Sequence, residues 1–180
     1  MISEFKRVGD MLFLMGLVDA SSGNMSSKVK DGVWITKTGR SLFGLRSKDI
    51  VKIGLEKDVR WNAASSETEV HINIYKKIEE AKAILHAHSP YTVALSLKLN
   101  KITPKDYEGR LFLKEVDVLD IKNWDEAKYA IAQYFFESKK RIVVAKGHGV
   151  FAISDDLFNA LKLISALEFS SKIITLENKA

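Results

Sequence analysis

Apolar residues at helical spacing mark four long stretches of the chain, and each stretch predicts an amphipathic helix. The stretches cover residues 3–19, 66–80, 123–137 and about 154–176. A shorter helix is predicted over residues 90–99, because Pro90 favours the first helical position and Ser89 before it is a good N-cap residue. The second stretch begins with Ser66 and Glu69, which have the spacing of a capping box.

Shorter runs of apolar and β-branched residues predict strands at residues 28–30, 33–36, 50–54, 81–88, 116–119, 141–145 and 150–153. The pair Asp31-Gly32 between the first two runs predicts a hairpin. Residues 21–27 and 100–114 lack either pattern and are predicted as loops. Because the strands are joined both by helices and by tight turns, residues 1–180 predict one α/β domain, a mixed, largely antiparallel sheet covered by helices.

The composition is that of a globular protein without disulfide bonds. The chain has 180 residues, of which 46% are apolar and 28% charged, and it contains no cysteine. Any zinc ion must therefore be bound by histidine and carboxylate groups. No apolar run is long enough to span a bilayer and the N-terminal residues do not have the form of a secretory signal, so we expect a cytoplasmic protein with no membrane partner.

The formal net charge of +5 suits either nucleic acid or a phosphorylated small molecule. The positive residues are scattered among acidic ones and form no stripe, and no base-stacking motif is present. These features favour a small anionic substrate over nucleic acid.

Two of the four histidines lie one residue apart, at the end of a predicted strand. Side chains of a strand alternate between its faces, so His86 and His88 are expected to project from the same side. Two imidazoles on one face suit a shared divalent metal, whereas two half-buried structural histidines are the simpler alternative. His148 lies between two glycines at a predicted strand-to-strand turn, and a third histidine in such a turn favours a catalytic zinc site.

Glu67 lies in the first turn of the second predicted helix. Its carboxylate is either a surface group stabilised by the helix dipole or a metal ligand that transfers protons at the site. His71 follows four residues later on the same helix face, and we expect it to be structural or to support a ligand.

Three turns carry small residues with backbone amide, hydroxyl or side-chain amide donors. They are Gly23-Asn24, Thr38-Gly39 and Ser65-Ser66, and the last of them also opens a helix. Such donors can bind a phosphate monoester without arginine, provided that the three turns converge.

These motifs occur in a fixed order: Gly23-Asn24-Met25-Ser26, Ile35-Thr36-Lys37-Thr38-Gly39, Ser65-Ser66-Glu67, His86-Ala87-His88 and Gly147-His148-Gly149. The ordered set resembles the class II aldolase/adducin family over nearly the whole chain. Within the family, the likeness is strongest to the zinc-dependent L-fuculose-phosphate aldolase branch. Five motifs in one order are far more specific than any one of them.

The resemblance implies a class II aldolase/adducin-like domain over residues 1–180 that assembles as a homotetramer, with active sites at subunit interfaces. The positions that match His86, His88 and His148 bind zinc in the family, and the position that matches Glu67 ligates it and acts as the acid/base. The phosphate-binding positions match Gly23, Asn24, Thr38, Gly39, Ser65 and Ser66.

The chain departs from the family pattern at a tyrosine that a neighbouring subunit contributes as a proton donor. Ile121 aligns with that position, and Tyr107 or Tyr129 would have to replace the tyrosine. The C-terminal extension of longer members is also missing. The implied function is retro-aldol cleavage of a ketose 1-phosphate; a methylthioribulose-1-phosphate dehydratase, a pentulose-phosphate epimerase and a non-catalytic adducin-like interaction domain are the alternatives.

Overall fold

The computed structural model describes residues 1–177 and contains one domain, in which helices cover an eight-stranded sheet. The helices are α1 (Ile2–Leu14), α2 (Thr68–Lys77), α3 (Pro90–Ser96), α4 (Tyr107–Phe112), α5 (Trp124–Ser138) and α6 (Leu157–Glu177). The strands are β1 (Asn24–Val29), β2 (Gly32–Thr36), β3 (Ile50–Ile53), β4 (Ala83–Ala87), β5 (Lys101–Ile102), β6 (Val116–Leu119), β7 (Ile142–Ala145) and β8 (Gly149–Ser154). Within residues 1–177, no helix is both long and apolar enough to cross a membrane.

The strand order across the sheet is β3-β2-β1-β4-β8-β7-β6-β5. All neighbouring strands run antiparallel except β6 and β7, which are parallel. The predicted mixed, largely antiparallel sheet is therefore confirmed. This order places β4 between β1 and β8, so that segments far apart in the sequence meet at the end of β4.

Helices bury both faces of the sheet. On one face α1, α3 and α4 pack against α6, and on the other face α2 packs against α5. All five residues of β4 are buried, and alternate side chains join the two core clusters: Leu85 contributes to the cluster with α6, and Ile84 to the cluster with α2 and α5. By the same alternation His86 lies on the α2/α5 face, where its ring stacks on Phe151 with centroids 4.0 Å apart.

Several predicted boundaries are wrong, and where a predicted loop is instead a strand, pairing with neighbouring strands overrides the local pattern. The segment 21–27 is not all loop, because β1 begins at Asn24 and pairs with both β2 and β4. The first helix ends at Leu14 rather than at residue 19. The segment 100–114, predicted as a loop, contains β5 and α4.

The predicted caps differ from the observed ones. Glu67, not Ser66, is the N-cap residue of α2, so Glu69 is not at the N3 position and no capping box forms. The Glu69 carboxylate pairs with lysine side chains instead. Ser89 occupies the N-cap position of α3 with Pro90 after it, as predicted, but its side chain makes no capping hydrogen bond.

Candidate active site

Three histidines meet at one end of the sheet. His86 is in β4, His88 follows directly after it, and His148 lies in the turn between β7 and β8. The pairing of β4 with β8 brings this turn beside the end of β4. One ring nitrogen from each histidine lies within 4.8 Å of the others, so the predicted trio converges.

The ring of His86 is held in a defined orientation. Its Nδ1 lies 3.0 Å from the carbonyl oxygen of Val150, to which it donates a hydrogen bond, and this fixes the tautomer whose Nε2 carries a free lone pair. Burial is the main reason why the pKa of His86 falls to about 3, and burial also lowers the pKa of His88. Both rings are therefore neutral at physiological pH.

Glu67 lies beside the three rings. Its Oε1 is 2.9 Å from His148 Nε2 and its Oε2 is 3.4 Å from His86 Nε2, while the side-chain amide of Asn24 donates a hydrogen bond to Oε2 at 3.0 Å. Burial by itself raises the pKa of the Glu67 carboxyl, but His86, His148 and Asn24 outweigh burial and lower this pKa to about 2. Glu67 is an ionised carboxylate at neutral pH.

The donor set fits a divalent cation. Nε2 of His86 lies 2.9 Å from Nε2 of His88, and the hydrogen bond at Nδ1 leaves His86 Nε2 without a proton, so that its lone pair faces the other rings. Neutral imidazole nitrogens beside a carboxylate are the ligands that zinc prefers when thiolates are absent. His86, His88, His148 and Glu67 can together hold such an ion.

A cavity of about 210 Å³ opens onto these groups. The predicted phosphate residues all line it, with Glu67 and two of the histidines: Gly23, Asn24, Thr38, Gly39, Ser65, Ser66, Glu67, His88 and His148. Gly39 adopts a left-handed conformation with φ of +66°, which a side chain would strain. One of the predicted donors is already engaged, because the Asn24 side-chain amide donates to Glu67. The Ser65 hydroxyl accepts the Glu67 backbone N–H, which leaves its own proton available to donate.

Three further side chains reach the site, and the sequence reasoning missed them. Lys37 and Arg40 line the cavity on either side of Thr38-Gly39, so their position next to a predicted phosphate turn could have revealed them. The indole of Trp124 packs on His148 with centroids 3.9 Å apart, although helical spacing assigns Trp124 to the core. No sequence signal distinguishes that tryptophan from a core residue.

Other candidates lie outside the cavity. His71 is fully buried with Nδ1 2.7 Å from Ser26 Oγ, and it is not one of the three histidines whose ring nitrogens converge. Ile121 packs at the edge of the α2/α5 core. Tyr107 and Tyr129 are 69% and 65% exposed, and neither lines the cavity.

Comparison with known proteins agrees with this geometry. The family profile described as "Class II Aldolase and Adducin N-terminal domain" matches residues 3–175. The L-fuculose phosphate aldolase of Methanocaldococcus jannaschii is 29% identical over 173 residues, which cover 96% of this chain and 94% of that protein. The methylthioribulose-1-phosphate dehydratase of Methylococcus capsulatus is 30% identical over 181 residues, with 93% and 89% coverage.

Among solved structures, the L-fuculose-1-phosphate aldolase of Thermus thermophilus superimposes with a TM-score of 0.92. It is 35% identical, and the superposition covers 98% of this chain and 93% of that one. The chain belongs to the class II aldolase and adducin N-terminal domain family.

Proposed function

We propose that this protein is a zinc-dependent aldolase that reversibly cleaves a ketose 1-phosphate, of the L-fuculose 1-phosphate type, to dihydroxyacetone phosphate and an aldehyde. The observation that carries the proposal is the convergence of three imidazoles and an ionised carboxylate beside a cavity whose lining also includes small residues with hydrogen-bond donors. The names of the relatives from M. jannaschii and T. thermophilus favour the same reaction.

His86, His88, His148 and Glu67 would hold the metal. A bound divalent ion supplies Lewis acidity, which polarises the carbonyl of the substrate and stabilises the negative charge that develops as the carbon–carbon bond breaks. The hydrogen bond from His86 Nδ1 to Val150 keeps that ring in the tautomer the role requires.

The phosphate would bind to the small residues that line the same cavity. Backbone amides of Gly23 and Gly39 and the hydroxyls of Thr38 and Ser66 are available there as donors. Lys37, which lines the same cavity, adds a positive charge, which suits a dianionic phosphate better than a neutral sugar.

Glu67 would transfer the proton. Retro-aldol cleavage removes a proton from the hydroxyl on the aldehyde side and returns one to the carbon of the phosphorylated fragment. Among the residues that line the cavity, Glu67 alone carries a carboxylate, and it is ionised and therefore able to accept a proton. Replacement by glutamine keeps the shape and removes the base.

The Glu67→Gln variant tests this role. Zinc should remain bound through the imidazoles, while turnover of the ketose 1-phosphate should fall by about 10²-fold or more. Zinc content by atomic absorption is the control for an intact site. Turnover at the wild-type rate with zinc bound would exclude Glu67 as the acid/base.

A dehydratase acting on methylthioribulose 1-phosphate is the second candidate, favoured by the 30% identity to the M. capsulatus enzyme. Such an enzyme would use the same metal and phosphate sites but eliminate water instead of breaking a carbon–carbon bond. Product analysis separates the two, because only cleavage releases dihydroxyacetone phosphate, which a coupled dehydrogenase detects by NADH oxidation. Activity on neither substrate would reject both and leave the epimerase and the adducin-like domain.

Metal binding and assembly can each be tested apart from turnover. A non-catalytic interaction domain would not need a metal, so a purified protein that cannot be loaded with zinc would favour that alternative. We also propose a homotetramer in the cytoplasm, in which an exposed tyrosine of a neighbouring copy, Tyr107 or Tyr129, acts as the proton donor, since no tyrosine is among the residues that line the cavity. Sedimentation equilibrium tests the assembly directly.

A further inference from the structure

The short helix α3 connects the two halves of the candidate metal site. Its first residue, Pro90, lies two positions after His88, and Ser96 at its end accepts a hydrogen bond of 2.9 Å from the backbone N–H of Gly147. Gly147 directly precedes His148. Helix α3 is therefore linked to both His88 and His148, the two histidines that lie outside the strands.

The amino end of α3 has no cap of its own. The Ser89 side chain makes no capping bond and its hydroxyl is buried without a partner. Pro90 has no N–H, and the N–H of Val93 already makes the first bond of the helix, to the carbonyl oxygen of Ser89 at 2.9 Å. The amides of Tyr91 and Thr92 thus need acceptors from elsewhere.

Both acceptors come from one carboxylate on α6. Oε1 of Glu168 accepts the N–H of Tyr91 at 2.9 Å, and Oε2 accepts the N–H of Thr92 at 2.9 Å and its hydroxyl at 2.8 Å. Glu168 is only 9% exposed, and Thr92 and Ser171 around it are fully buried. Burying a carboxylate costs several kcal/mol unless it is fully hydrogen-bonded, so this arrangement needs a structural reason.

We infer that Glu168 is a positioning residue for the metal site, acting through α3. Helix α6 packs on β4 and β8, the strands next to His88 and His148, so its carboxylate is anchored to the same framework as the ligands. The bonds to Tyr91 and Thr92 fix the chain three and four residues after His88. At the other end of α3, the Ser96 hydroxyl donates to the carbonyl oxygen of Val93 at 2.7 Å and so keeps its oxygen directed at Gly147.

This inference rests on the proposed metal site, and zinc affinity tests it. The Glu168→Gln variant keeps the size of the side chain but replaces one carboxylate oxygen by an NH₂ group. Because NH₂ is a donor, one of the two amides, that of Tyr91 or that of Thr92, loses its acceptor. We expect its zinc dissociation constant, measured by competition with a chromophoric chelator, to rise by about tenfold or more. The visible spectrum of the Co²⁺-loaded variant should also change, because that spectrum reports the geometry of the ligands.

The matched control is Glu4→Gln. The Glu4 carboxylate likewise accepts a helix N-terminal amide from another element, that of Leu157 at 3.0 Å, in a contact that includes no residue of the site. We expect this variant to bind zinc with unchanged affinity, because the one side-chain oxygen that glutamine keeps can still accept the Leu157 amide. Ser96→Ala, which frees the Gly147 amide, should weaken zinc binding severalfold and decides the matter if Glu168→Gln does not fold.

The outcomes are distinct. Wild-type protein that binds no zinc would overturn the proposed metal site and this inference with it. Zinc binding by wild type together with unchanged affinity in Glu168→Gln, or in Ser96→Ala where the first variant does not fold, would overturn this inference alone. Equal losses of affinity in Glu168→Gln and Glu4→Gln would also overturn it, because the effect would then be general destabilisation.

Discussion

A single methyl group added at Gly149 should disturb the candidate metal site. Gly149 begins β8, and a Cβ atom built there would lie 2.5 Å from the carbonyl oxygen of Ala87 and 2.8 Å from Cε1 of His86. Contacts of a Cβ below 3.0 Å are essentially absent from proteins, so the backbone of β4 would have to move by at least 0.5 Å. Because both contacts involve the segment that carries His86, this displacement would reach the candidate ligand directly.

The size of the effect follows from the packing. Overpacking of a filled site costs about 1–3 kcal/mol, and we expect Gly149→Ala to lower the free energy of unfolding of the metal-free protein by this amount. The displaced His86 ring should also weaken zinc binding by about tenfold, since ligand positions set metal affinity. Urea denaturation followed by circular dichroism measures the first quantity, and chelator competition measures the second.

Gly54→Ala is the matched control. A Cβ at Gly54 would meet first the end of the flexible Arg60 side chain, at 3.3 Å, so the same substitution should change neither stability nor zinc affinity by much. If Gly149→Ala unfolds at the same urea concentration as wild type and binds zinc equally well, then the close approach of β8 to β4 does not determine the position of His86.

Three other predictions concern charge, protonation and metal. Lys37→Ala and Arg40→Ala should each raise the KM for the ketose 1-phosphate by roughly three- to tenfold with kcat little changed, because each removes about 1 kcal/mol of charge-assisted binding. Lys30→Ala, outside the cavity, is the control. An unchanged KM in both cavity variants would place the phosphate elsewhere. Burial lowers the pKa of His71 to about 4, below its value of 6.5 when exposed, so the unfolded chain binds a proton that the folded chain does not. The free energy of unfolding is therefore highest above pH 6.5 and falls by at most roughly 3 kcal/mol as the pH decreases toward 4, because the unfolded chain gains the proton first. In urea titrations, the free energy of unfolding of His71→Gln should depend less on pH than that of wild type. Identical pH dependence in the two proteins would contradict this effect of His71. Removal of metal with a chelator should abolish turnover, and added zinc should restore it. Zinc at about 100 times its dissociation constant should also raise the free energy of unfolding by about 2.7 kcal/mol. A melting temperature that does not respond to zinc would argue against the metal site.

Much of the fold could be predicted because its signals are local. The alternation of apolar residues defines β6 at the predicted residues 116–119, and Asn123 caps α5 where the pattern begins. The predictions failed where pairing partners overrode local preference. Three of the residues 24–27 are small and polar, yet the segment forms a strand because β2 and β4 satisfy its backbone groups on both sides.

The sequence by itself determined which side chains are candidates for a metal site, which turns carry small residues with hydrogen-bond donors, and that strands and helices form one α/β domain. Only the tertiary structure decided that His148 meets His86, because that contact depends on β8 lying beside β4 in the sheet. The same holds for Lys37 and Arg40 at the cavity, Trp124 on His148 and Glu168 at the end of α3. Side-chain type is readable along the chain, whereas contacts between distant residues arise from packing, which no local pattern encodes.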